Sequence, residues 1–148
     1  MKNYFLKLKT IDDTEIVINT ENIIYIEGEN KKGYYYLKNI DMLNMYIDYD
    51  EYLKLKEFII NKKYDGKIIF IKLCKRSFGE IIVNIKFVNM IYSDDGFYLN
   101  SKTNKVFKER DYKLKIKGEQ FNKWLTEESY YRLEKILLSD QKGDKVNE

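Results

Sequence analysis

The sequence predicts a mainly β fold of the α+β class, built as two similar tandem halves that pack as one body. Three observations predict it. Residues 5–26 and 70–91 align at a constant offset of 65 without a gap, with seven of 22 positions identical, where about two are expected for unrelated segments of this composition. Short apolar runs alternate with polar residues between turn-forming clusters, the pattern of half-buried strands. Helical spacing of apolar residues occurs only after each series of such runs.

In each half the first strand ("YFLKLK", "IIFIKLC") leads through a polar turn ("TIDDT", "KRSFG") into a second strand ("EIVIN", "EIIVN"). A short connection and a third apolar run follow. The identities Phe5/Phe70, Lys7/Lys72, Leu8/Leu73, Glu15/Glu80, Ile16/Ile81, Asn19/Asn84 and Ile26/Ile91 are mostly strand positions, so the repetition is architectural. Asn19 and Asn84 close the second strand, where a short amide can bond the neighbouring backbone and shape a corner. Each copy then places glycine before an aromatic strand, "KKGYYYL" and "SDDGFYL". Asp-Gly at Asp95–Gly96 reads as a hairpin turn. A fifth strand is expected in each half, at "MYIDY" and "DYKLKI", giving five-stranded meanders or small barrels.

Helices are expected at about 51–61, with Asp50 as N-cap, at about 119–125 from Phe121, Trp124 and Leu125, and at about 127–138 with Thr126 as N-cap. The halves accordingly divide at 65/66, the second runs to 139, and residues 140–148 form a solvated tail. Cys74 is expected to be a buried hydrophobe beside Leu73.

The chain has no histidine and one cysteine. That excludes Ser-His-Asp and Cys-His catalysis, zinc clusters and intramolecular disulfides. No glycine-rich phosphate loop is present, and Asp48, Asp50 and Glu51 have simpler work at a helix start, so no catalytic residue, metal or cofactor is expected. No apolar run is long enough to span a membrane, which points to a cytoplasmic protein without membrane partners.

Phe5, Leu8, Glu15, Asn19, Ile23, Ile26 and Glu27 in "FLKLKTIDDTEIVINTENIIYIE" resemble the small flagellar and swarming proteins of the FlbD type, and "FIKLCKRSFGEIIVNIKFVNMI" resembles them again. A tandem duplication of that β-meander module is implied. A second resemblance, carried by "NTENIIYIEGE" and "IVNIKFVNMIYSDDGFYL", is to the LytTR DNA-binding domain, and implies a nucleic-acid-binding regulator. The 14-residue step from Phe70 to Asn84, equal to that from Phe5 to Asn19, fits the duplication.

Fourteen tyrosines supply rigid amphipathic contact area of the kind enriched at interfaces. The reading is therefore a non-catalytic interaction module, an inhibitor or adaptor of a protein or ribonucleoprotein complex of the type mobile elements such as phages encode. Its expected contact residues are Tyr34, Tyr35, Tyr36, Lys31 and Lys32. The alternative, nucleic-acid binding, draws on Lys75, Arg76, Lys102, Lys105, Lys108 and Arg110. An uncovered edge strand or the last helix offers a seam for a homodimer.

Overall fold

A computed structural model describes residues 3–29, 33–41, 44–77 and 79–146, and its chain divides into two compact units. Among the described residues the fold is mainly β with antiparallel sheets, as the sequence predicts, and has two α-helices where three are expected. The unit boundary does not fall at 65/66. One unit holds residues 3–73 and 79–87, the other residues 74–77 and 88–146.

In the first unit, β1 (Phe5–Lys9) and β2 (Glu15–Asn19) form a two-stranded sheet. After a 3-10 turn, Thr20–Asn22, come β3 (Ile23–Glu29), β4 (Tyr34–Asn39) and β5 (Asn44–Ile47). Helix α1 (Tyr49–Ile59) follows, capped not by Asp50 but by Asp48, whose carboxylate accepts the Glu51 N–H at 2.9 Å. Asp50 sits in the first turn, where its charge suits the helix dipole. Short strands β6 (Lys63–Tyr64) and β7 (Lys67–Ile68) lead to β8 (Phe70–Cys74) and β9 (Glu80–Asn84).

Strands β5-β4-β3-β9-β8 form one five-stranded sheet. Residues of this sheet, of β1 and of α1 make up one buried core that includes Leu8, Ile26, Leu37, Ile47, Leu55, Ile59, Phe70 and Ile82. Alternation explains the selection, since Ile26, Leu37 and Met45 are cross-strand neighbours of one row and Ile82 extends it.

Both repeated asparagines do the corner work expected of them. Asn19 accepts the Glu21 N–H at 3.2 Å and Asn84 the Lys86 N–H at 3.0 Å. Elements recur at the repeat offset: β8, β9 and the turn Ile85–Phe87 stand 65 residues after β1, β2 and Thr20–Asn22. Their partners differ. β1 and β2 pair only with each other, whereas β9 pairs with β3 inside the larger sheet. Cys74, the last residue of β8, is exposed rather than buried, because Leu73 takes the inward position at that end.

In the second unit, β10 (Val88–Asn100) and β11 (Lys105–Ile116) make one long hairpin. The Asp95–Gly96 turn is not formed; both residues lie within β10, opposite Arg110 and Glu109. The chain reverses instead at Ser101–Asn104. There the Asn100 side chain accepts the N–H groups of Lys102 and Thr103 at 2.9 and 3.3 Å, and Asn104 adopts a left-handed φ of 55°. Two asparagines thus supply turn chemistry while Asp94 and Asp95 find cross-strand cations. The second half therefore has one long hairpin where three strands, with a turn at Asp95–Gly96, are expected.

The predicted helix at about 119–125 is also absent. A two-residue strand β12 (Lys123–Trp124) pairs with Lys113 and Leu114, and Phe121 is exposed. Only Leu125 of that apolar trio is buried, and three apolar residues in five positions fit either period. Helix α2 (Glu127–Val146) starts at Thr126, whose hydroxyl accepts the Ser129 N–H at 3.2 Å. It continues through most of the segment expected to be a tail.

Candidate interaction surface on the long hairpin

Strands of 12 and 13 residues extend roughly 40 Å at the usual rise. Only the base of this ribbon is covered within its unit. On one face Tyr112 packs against Tyr130 and Tyr131 of α2, ring centroids 5.1 and 5.7 Å away, beside buried Leu114 and Leu133. Burial, a hydrogen bond with Tyr131 and nearby Glu127 push the Tyr112 hydroxyl up to about 12.

On the opposite face a polar cluster ties residues 74–77 to the ribbon. Arg76 donates to Asp111 and, at 2.6 Å, to Glu109. Its guanidinium lies between the rings of Tyr98 and Trp124, 5.3 and 5.4 Å from their centroids. Tyr98 donates its hydroxyl to Asp111 at 2.7 Å. Asp111 is a buried carboxylate; burial alone would raise its pKa, but the hydrogen bonds from Tyr98 and Arg76 hold it below the ordinary value.

Gly96 makes the cluster fit. A Cβ there would stand 2.7 Å from the Tyr98 ring and would collide with the Asp111 carboxylate. Gly96→Ala is expected to cost about 2 kcal/mol, the scale of overpacking. A urea midpoint unchanged from wild type would show that the ring and carboxylate yield freely.

The other carboxylates at the base are matched by cations. Asp94 meets Lys113 at 3.3 Å, while Asp95 meets Arg110 at 3.3 Å and Lys108 at 3.7 Å. Beyond Asp95 the ribbon changes character. Residues 96–108, "GFYLNSKTNKVFK", contain three lysines and no acid. Phe97, Leu99 and Val106 share one face, with 71%, 63% and 67% of their surface exposed. Phe107 is exposed on the other face, tilted against Tyr98.

The tyrosine strand is more occupied. Alternation puts Tyr35 on the face opposite Tyr34 and Tyr36, and its ring turns inward, stacked on Tyr52 of α1 with centroids 3.8 Å apart and planes 7° off parallel. Its ring also covers Gly28, where a Cβ would lie 3.3 Å away. Tyr36 meets Tyr25 edge-on and Tyr46 at a tilt, leaving Tyr34 as the exposed ring of the three. Lys31 and Lys32 lie outside the described residues. Of the basic set, Arg76 is held in the cluster, Arg110 and Lys108 face Asp95, and Lys75 forms a bridge with Leu125 at the backbone. Lys102 and Lys105 have no ion pair among the described residues.

Sequence reasoning missed Phe97, Leu99, Val106 and Phe107 as one surface, because it broke the strand at Asp-Gly and began the next one only at Asp111, leaving residues 97–99 without their partners 106–108. The signal was there: Phe97 and Leu99 alternate on one side of "SKTN" and Val106 returns on the same face.

Among the described residues no helix is long and apolar enough to cross a membrane, and no cluster of His, Cys, Asp or Glu is placed to hold a metal ion. No family model, curated protein or solved structure matches the chain.

Proposed function

We propose that this is a non-catalytic binding protein, an inhibitor or adaptor that engages a macromolecular complex through the distal part of the β10–β11 hairpin. The observation that carries the reading is the row of Phe97, Leu99 and Val106, exposed together on one face of a ribbon whose base alone is packed. Large apolar side chains grouped on a surface mark contact sites, whereas single ones do not. The Arg76 cluster supports the same reading, since it fixes the ribbon to residues 74–77 and so limits the entropy a contact must overcome. The first unit has the character of a scaffold, with most of its aromatic surface spent on its own packing.

The test is a photo-crosslinking residue at position 99, compared with one at Tyr34, in the full chain exposed to lysate. Crosslinks concentrated on one species from position 99, and lost in the Phe97→Ser, Leu99→Ser, Val106→Ser variant without a change in melting temperature, are the expected result. Crosslinks confined to Tyr34, or unaffected by the triple change, would move the contact to the first unit.

A further inference from the structure

We propose that the distal hairpin takes nucleic acid, gripping the phosphate backbone with Lys102 and Lys105 while the apolar shaft lies against sugars and bases. This rests on the reading that the hairpin is the contact element, and adds the chemistry of its partner.

Charge separation along one ribbon carries the inference. Every carboxylate of the hairpin lies at or below Asp95 and Glu109, and each is paired with a cation: Asp94 with Lys113, Asp95 with Arg110, and Glu109 and Asp111 with a shared Arg76. What the distal part presents is therefore positive only. Lys102 and Lys105 are both exposed, and neither has an ion pair among the described residues. A second copy of this chain is disfavoured as occupant, since pairing two such ribbons would bring their lysines together. A protein partner fits less well, because lysine is depleted at the centre of protein interfaces and is the only charged residue type here. Nor is the apex built to enter a lipid surface: Ser101, Lys102, Thr103 and Asn104 are all polar, and the apolar residues lie behind them along the shaft.

The ribbon's form suits nucleic acid as well. A two-stranded β-ribbon fits the major groove of duplex DNA, and exposed rings such as Phe97 and Phe107 can stack on unpaired bases. Arg110 of the hairpin and Arg76 beside it are committed to carboxylates, so no arginine fork is left there to read guanine. Binding should be insensitive to sequence and sensitive to salt.

The experiment is fluorescence anisotropy of the full chain with a labelled 20-base-pair duplex and a 20-nucleotide single strand, at 50 and 200 mM salt. Two phosphates neutralised by two lysines give a log–log slope of about −1.8 on duplex and about −1.4 on single strand, so duplex affinity should fall roughly twelvefold across that range. The Lys102→Gln, Lys105→Gln variant should bind weakly at 50 mM and lose most of the slope, with an unchanged circular dichroism spectrum and melting temperature. The proposal is overturned if neither probe binds at 50 mM, if the double variant binds as wild type does, or if only vesicles containing anionic phospholipid bind. A negative result here with crosslinking at position 99 intact removes nucleic acid alone; loss of both removes the hairpin as contact element.

Discussion

Alanine at Asn84 is expected to lower the unfolding free energy by about 3 kcal/mol, while alanine at Asn19 should cost about 1 kcal/mol. The two residues occupy equivalent positions 65 apart and make the same bond to the backbone two residues on. Asn84 does more. It is fully buried, and its amide donates to the carbonyls of Glu21 and Ile23 at 3.1 and 3.0 Å, stitching the second repeat's corner to the first. Its removal forfeits three hydrogen bonds and strands two carbonyls away from water; Asn19 forfeits one at a half-buried site. Urea denaturation with the slope checked for constancy measures both. Equal losses for the two variants would mean that the Asn84 amide bonds do not hold the corner.

Asp111→Ala should cost about 3 kcal/mol, the lower end for stripping one partner from a buried pair, since Arg76 keeps Glu109 and some access to water. Asp111→Asn retains shape and should cost less. The pH dependence separates charge from shape. Because the folded pKa of Asp111 is depressed, its stabilisation is complete above the unfolded value of about 3.9 and is lost as pH falls through the lower folded value. Wild type should therefore lose more melting temperature than Asp111→Asn between pH 5 and pH 2.5. Parallel losses in the two proteins would contradict a charged Asp111 as the anchor of Arg76.

Local chemistry was the legible part of this fold. The strands β1, β2, β8 and β9, the asparagine corners, helix α1 apart from its cap, and the Thr126 cap can be read from period and local side-chain chemistry, because each depends on neighbours within a few positions. The misreadings share a cause in distant partners. Asp94–Asp95–Gly96 has the wording of a turn, and remains a strand only because Lys113, Arg110 and the Tyr98–Asp111 pair reach it from elsewhere in the chain. Residues 119–125 have helix-like spacing, yet Lys123 and Trp124 are claimed by the backbone of Lys113 and Leu114. For the same reason the hairpin surface escaped notice: its apolar row exists only once the strand is known to continue past Gly96.

The repeat itself has a further consequence. For eighteen residues, from Phe5 to Asn22 and from Phe70 to Phe87, the chain folds to one local plan twice, after which the copies part company. The third strand of the first copy is flanked on both sides, by β4 and β9, and is committed to holding. Its counterpart begins at Val88, runs thirteen residues and has a single neighbour along most of its length, so it is committed to reaching. The same local plan thus leads once into a strand held between two neighbours and once into a strand of a two-stranded ribbon.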